Sequence, residues 1–523
     1  MELKQCVIHR KYHKAEAKNQ ITIGEDFSVP DGKPDIADIL QKKAEIQADE
    51  VTTEKGKVRI RGSLKVWVLY LAERSNRTAD DMTMEFPFDE ILYMEGASAG
   101  DHLKIDWNIE NLNVTIVHPG KLSVRALVNL RGIIEGDENH LLTQDMEGQD
   151  GIYTKCAAFT AAEPVIGRKE SYRMRDEVML PVNKPNVSRI LWKDLQVRGL
   201  DLRLQESRIA VKGEALLLVV YEGAEDSGQI QWMEQSVPFQ GTVDTGGLTP
   251  EMFGIIESEV SRQEIELKPD YDGEMRMFQI ELMLDLHLHL YEEKNFSALQ
   301  DAYSTKEKLN LQSEEIVCEK LRRCDQVKCR VNSREQVKTE GKILQILGHQ
   351  TMLHGRSSKI TEQGILQEGI LEVQILFLTS GERQPLGRAE VSIPYSQLLE
   401  VPGIQKDDRI KVTENLEQMS VSMTDSDQLE VRGVIKFDMC VMQTQKLTNI
   451  TGVETEDYDL EEYQKRPGMV IHFVQPKESL WQIAKENRTT MEEIKKVNDL
   501  AVDEVLPGQK LLLVKSVTGE KLA

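Results

Sequence analysis

The sequence predicts a multidomain protein: three mainly-β repeat modules, each a sandwich or partial barrel, followed by a small α/β domain of βααβ order. Three observations predict it. One arrangement of glycine, aromatic and proline recurs three times at a fixed spacing. The runs around it alternate or stay apolar, as strands do. The C-terminal segment sets two helix-capping signals between two short strands.

The first copy of the arrangement runs from Gly62 to Tyr70, with Pro87-Phe88 25 residues after the glycine. Gly213, Tyr221 and Pro238-Phe239 repeat it, and Gly369, Phe377 and Pro394-Tyr395 repeat it again. The glycines lie 151 (213 − 62) and 156 (369 − 213) residues apart, which defines a repeated module. Modules of this length bury their own cores, so the expectation is three domains in a row rather than a solenoid of short repeats. The boundaries read as 1–160, 161–312 and 313–453, then an acidic linker over 454–467 (Glu454, Glu456, Asp457, Asp459, Glu461 and Glu462) and a last domain over 468–517.

Within the modules, Pro30 to Ile36 with Ile39-Leu40 returns as Pro181 to Val187 with Ile190-Leu191, whereas the third copy keeps only Ile346-Leu347. Val58–Arg61 and Ile209–Lys212 alternate as half-buried strands do. The near-continuous apolar runs after each glycine suit a central strand covered on both faces. Further strands are expected over 122–128, 278–290 and 429–435, and a short helix over 249–261. Proline cannot donate to a ladder, so the proline–aromatic pair marks an edge strand or the start of one.

Composition excludes several classes of function. A formal charge of −23 argues against nucleic acid, whose binding needs clustered cations. The basic run Lys4, His9, Arg10, Lys11, His13, Lys14 and Lys18 reads as a solvated tail or first helix. Six cysteines, at 6, 156, 318, 324, 329 and 440, form no disulfide framework and suit a reducing compartment. Cys318, Cys324 and Cys329 are spaced too widely for paired zinc ligands, and His287-Leu288-His289 reads as an exposed polar face opposite Leu286, Leu288 and Leu290. No metal or cofactor is expected. No secretory h-region and no apolar run of membrane-spanning length is present, so neither export nor transmembrane insertion is expected. The chain carries no Gly-x-Ser-x-Gly, Walker A or His-Glu-x-x-His motif and reads as non-enzymatic.

The C-terminal domain begins with the strand His472-Phe473-Val474. Ser479 with Gln482, and Thr490 with Glu493, are capping boxes that start two helices. Asn498 ends the second, and Pro507-Gly508 turns the chain into the strand Leu511–Val514. The expected core is Val474, Leu480, Trp481, Ile483, Ile494 and Leu511.

This pattern resembles a LysM domain through Val474, Leu480-Trp481-Gln482-Ile483-Ala484, Ile494, Asn498-Asp499-Leu500 and Gly508-Gln509-Lys510-Leu511. The resemblance implies binding of N-acetylglucosamine-containing glycans by the loop before the first helix and the loop after the second. Here Lys477-Glu478 stands where Gly-Asp is usual, and His472 replaces the customary tyrosine. Glycine takes positive φ freely and lysine does so poorly, so this departure argues against a sugar site. The expected docking surface for a protein is Lys477, Glu478, Ser479, Asn498, Asp499 and Leu500. The repeats resemble the SPOCS domain, and the whole chain is similar to the SipL family of spore coat morphogenetic proteins. That resemblance implies a scaffold made in the mother cell cytoplasm and recruited to the forespore surface. Its LysM domain would engage a SpoIVA-like coat ATPase, with other coat proteins as further partners. The alternative is a peptidoglycan-binding protein of the spore cortex or cell wall.

Overall fold

The computed structural model describes residues 2–73, 79–101, 103–148, 151–224, 230–337, 341–381, 386–458 and 467–514. The first module contains β1 (Glu2–Ile23), β2 (Asp26–Ser28), β3 (Ile36–Glu54), β4 (Lys57–Ala72), β5 (Ala79–Tyr93), β6 (Leu103–His118) and β7 (Lys121–Glu147). Two antiparallel sheets result, β3-β4-β5 and a longer one in which β7 pairs with β1, β2 and β6. They face each other across Leu64, Val66 and Tyr70 of β4 and Leu122, Val124 and Val128 of β7. A sandwich buries one face of each sheet in this way.

The second module repeats the plan with β8 (Ile152–Met179), β9 (Val187–Gln205), β10 (Arg208–Gly223), β11 (Ile230–Asp244), β12 (Phe253–Pro269) and β13 (Met275–Ser304). The third has β14 (Glu307–Gln336), β15 (Ile343–Thr361), β16 (Gly364–Thr379), β17 (Leu386–Glu400), β18 (Arg409–Asp425) and β19 (Gln428–Asp457). In every module the first strand pairs with the last, β1 with β7, β8 with β13 and β14 with β19. Residues 152–160 and 307–312, assigned from sequence to the preceding module, therefore pair within the following one. Glu454 to Asp457 likewise lie in β19 opposite β14 rather than in a linker, and residues 459–466 of that segment fall outside the described residues.

Two local expectations are overturned by long-range pairing. The basic run near the N-terminus is β1, held against an acidic β7 by contacts such as Lys4 with Glu147 (2.5 Å) and Arg10 with Glu138 (3.5 Å). Residues 249–252 make a turn and the chain enters β12 at Phe253, where the ladder with β13 buries Ile255 and Ile265. Ladder formation outweighs any local helical tendency there.

The recurring glycine and aromatic are cross-strand partners: Gly62 faces Phe88, Gly213 faces Phe239 and Gly369 faces Tyr395. The ring folds over the glycine. A Cβ added at Gly213 would lie 2.7 Å from Phe239 Cζ, and one at Gly369 would lie 2.3 Å from the Tyr395 hydroxyl. Only a residue without a side chain leaves that space, which explains why glycine and aromatic recur together. The accompanying prolines sit in β5, β11 and β17, each paired on one side only, so they mark edges. The first aromatics also have partners. Tyr70 and Tyr221 are fully buried and donate their hydroxyls to the carbonyls of Pro34 (3.2 Å) and Pro185 (3.1 Å). In the third copy the prolines are gone, and Phe377 carries no hydroxyl to satisfy.

The three modules are not strung in a row. Strand β5 of the first touches β9 of the second, β11 of the second touches β15 of the third, and β17 of the third returns to β3 of the first. The ring closes on one apolar junction to which each module contributes, among others, Leu40 and Leu69, Leu191 and Val220, and Leu347 and Leu376. The central strands are thus apolar on both faces because each packs inward on its own sandwich and outward on the junction. Gln41 of the first module reaches Gln350 of the third (Nε2 to Oε1, 3.3 Å). The double variant Gln41→Cys, Gln350→Cys should therefore be bridged within one chain by a short bis-maleimide reagent, seen as a mobility shift on denaturing gels. A row of modules would leave the two sites apart.

Candidate partner-docking site

The C-terminal domain contains β20 (Met469–Phe473), α1 (Leu480–Glu486), α2 (Met491–Val497) and β21 (Lys510–Val514), with β20 antiparallel to β21. Ser479 caps α1 and Thr490 caps α2, each in a reciprocal capping box with Gln482 and Glu493. Such caps satisfy the free N–H groups of helices only two turns long. Val474, Leu480, Ile483, Ala484, Ile494 and Leu511 form the buried core.

The loop before α1 is built around the two departures noted in the sequence. Lys477 adopts φ 70°, the left-handed conformation that glycine usually supplies. Neighbouring contacts hold it there. Glu478 accepts from the Gln475 N–H (2.7 Å) and lies 2.9 Å from His472 Nε2, while its own N–H donates to the Gln475 carbonyl (3.2 Å). Burial opposes the Glu478 charge, yet the Gln475 N–H and His472 hold its carboxyl below the ordinary carboxylate range. The substituted residues thus form a clasp. Lys477 and Asp499, the latter also left-handed at φ 51°, are exposed; Ser479 and Leu500 are half-buried beside them. Asn498 is different in kind. Its side chain donates to the Ile494 and Leu512 carbonyls and accepts from the Leu512 N–H, tying α2 to β21.

Trp481, expected in the core, packs partly buried against it and also docks the domain. Its indole N–H donates to Asp301 of β13 (2.8 Å), and its ring meets Tyr303 edge-on with centroids 4.8 Å apart. Lys485 pairs with the same Asp301 (2.6 Å), Tyr303 donates to the Thr489 carbonyl (3.0 Å), and Arg488 stacks 3.5 Å over Tyr458. The domain is therefore seated on the end of the second module, and the loops at 475–479 and 498–502 keep solvent-exposed residues.

Where the long sheets meet lies a buried charge network whose members are far apart in the sequence. Arg409 of β18 donates to Glu135 of β7 (3.0 Å), to Glu319 of β14 (3.4 Å) and to the Lys11 carbonyl of β1 (3.0 Å), below the ring of Tyr291 of β13. One guanidinium thus touches all three modules. Beside it, Glu257 of β12 receives Lys411 (3.2 Å) and Lys104. Burial opposes the Glu257 charge, but the two lysines hold its carboxyl at about 2, while burial pulls Lys411 down to about 8. His289, read from sequence as exposed, lies in this network between Glu257 (3.8 Å) and Glu135 (3.9 Å). Burial and then the Lys411 charge lower its imidazole to about 4.

The cysteine reading also needs correction. Cys324 and Cys440 are cross-strand partners in β14 and β19 and are joined as a disulfide. Among the described residues no group of three or more His, Cys, Asp or Glu is placed to hold a metal ion, and no helix is long and apolar enough to cross a membrane.

Comparison with known proteins agrees with this architecture. The SipL SPOCS domain model matches residues 35–117, 186–268 and 342–424, and the LysM domain model matches 472–514. Each SPOCS match begins just before the short-strand sheet and leaves the long first and last strands of its module outside. No curated protein and no solved structure matches the chain. The chain thus carries three SipL SPOCS domains, each within one of the three modules, followed by a C-terminal LysM domain.

Proposed function

We propose that the chain is a scaffold of spore coat assembly, located in the mother cell cytoplasm and recruited to the forespore surface, where its LysM domain docks onto a SpoIVA-like coat ATPase. The SPOCS domains mark a sporulation protein, and both SPOCS and LysM are non-catalytic binding domains. The observation that carries the reading is the loop before α1. The His472–Glu478–Gln475 clasp sets an exposed lysine where the LysM family uses glycine to let a sugar approach the backbone. With Glu478 turned inward to His472 and the Gln475 N–H, the exposed Lys477 is left to pair with a carboxylate of a protein partner, a contact that a neutral glycan does not offer. Seating on the second module presents that loop from a rigid base.

The second reading, peptidoglycan binding, is favoured by the intact βααβ fold with both of its loops open to solvent. Co-sedimentation of the full chain separates the two. The scaffold reading expects retention on an immobilised SpoIVA-like ATPase and none on purified peptidoglycan. Pelleting with peptidoglycan and no retention on the ATPase overturns it.

A further inference from the structure

We infer that the cleft between the second and third modules binds an acidic peptide segment of a partner protein, with Arg198 at its floor receiving a carboxylate. The cleft measures about 1020 Å³ and is walled by β9, β10 and β11 on one side and by β14, β18 and β19 on the other. Its size is at the upper end for small-ligand pockets and suits several residues of a peptide.

Arg198 of β9 is largely buried and forms no ion pair among the described residues. Its Nη1 donates to the Met419 carbonyl (3.4 Å), and its Nη2 meets Gln196 Oε1 (3.0 Å) and His349 Nε2 (3.0 Å). Its Nε is buried without a hydrogen-bond partner. Burial pulls the guanidinium pKa down, and Glu234, Asp194 and Glu214 lift it only from a distance. A buried cation with a vacant donor and no carboxylate in contact is a costly arrangement that an incoming anion relieves.

The rim strengthens the case. Lys212 and Arg330 line the cleft, are exposed and form no ion pair among the described residues, whereas Arg432 is engaged by Glu430 (2.6 Å). Of the carboxylates on the rim, Glu417 is paired with Lys328 (2.5 Å), whereas Glu214 keeps its charge and accepts from the Ser236 hydroxyl (2.9 Å). On a chain of net charge −23, three cations without a carboxylate partner among the described residues, Arg198, Lys212 and Arg330, converge on one cleft against the single unpaired carboxylate of Glu214. The positions equivalent to Arg198, at the repeat spacings of 151 and 156, hold Gln47 and His354, and His354 lies 3.2 Å from Glu372. The site therefore belongs to one junction of the ring. The surrounding negative charge repels long polyanions, so the anion that fits is a short segment whose charge lies inside the cleft.

The test is fluorescence anisotropy of a labelled octaglutamate peptide with the full chain, repeated with the double variant Lys212→Glu, Arg330→Glu and with Arg198→Lys. Both rim residues are exposed, so the double variant should melt as the parent does. Expected are salt-sensitive binding by the parent, a loss of about tenfold or more in the double variant, and a smaller loss in Arg198→Lys, whose single donor group cannot span the same contacts. No binding by the parent, or equal binding by the double variant, overturns the proposal. Equal affinity for a single-stranded oligonucleotide of matched charge overturns it as well, because the cleft would then attract anions without regard to class.

Discussion

Replacing Arg409 by methionine should destabilise the chain by about 3–5 kcal/mol, since it strips the counter-charge from two buried carboxylates at once. Glu319 is nearly inaccessible, Glu135 is half-buried, and both lose their closest cation. Burial already raises the Glu319 pKa against the pull of Arg409, so in the variant that carboxyl protonates more readily and recovers part of the cost. Urea unfolding of the full chain measures the effect, and because Arg409 touches all three modules the transition should also lose cooperativity between them. A variant within 1 kcal/mol of the parent shows that the network does not hold the ring. The same network sets an acid limit. Unfolded, His289 takes a proton near its ordinary 6.5; folded, it refuses one until about 4, so its stabilisation is complete above that window and is lost as pH falls through it. Glu257 extends the loss further down, toward about 2. Glu319, raised by burial, runs the other way, losing stabilisation as pH rises from its ordinary 4.5.

Replacing Trp481 by alanine should release the LysM domain from the second module without unfolding it. The removed ring contributes the Asp301 hydrogen bond, the Tyr303 contact and packing at the edge of the core, whereas the fully buried Leu480, Ile483, Ile494 and Leu511 remain in place. Truncation of a packed tryptophan costs on the order of 3–5 kcal/mol, and here that cost is shared between docking and the edge of the core. The measurement is NMR relaxation of the LysM amides, which should report faster tumbling with unchanged chemical-shift dispersion. Collapse of the dispersion would return Trp481 to the domain core. Asp301→Asn should act more weakly, because the amide oxygen still accepts the indole N–H and the lost Lys485 pair is part-exposed, worth at most about 1 kcal/mol.

The parts legible in the sequence are those fixed by local or repeated chemistry. Two capping boxes announce α1 and α2 because each needs residues only three apart. The glycine–aromatic pairs announce the modules because one strand register, used three times, forces one spacing. What stayed hidden is non-local. Pairing of Ile152 with Ser304 and of Glu307 with Asp457 leaves no sequence signature, so both modules begin earlier in the chain than the repeat spacing alone suggests. Leu69 and Val220 read as core of a central strand whether the second face meets a helix, a sheet or two sister modules. Cys324 and Cys440 lie 116 residues apart, and only the β14–β19 register brings them together. Trp481 occupies a position where an aromatic suits the core or an interface equally, and here it serves both, a fact that depends on Asp301 180 residues away.

The docking surface on the LysM domain is tested most directly by exchanging Lys477-Glu478 for Gly-Asp in the full chain and measuring affinity for a SpoIVA-like ATPase. Glycine fits φ 70° without strain and the buried core is untouched, so the melting temperature should hold. Loss of the exposed cation and of the His472 clasp should weaken binding about tenfold, or about 1.4 kcal/mol. Unchanged affinity would contradict the assignment of this loop to the partner interface.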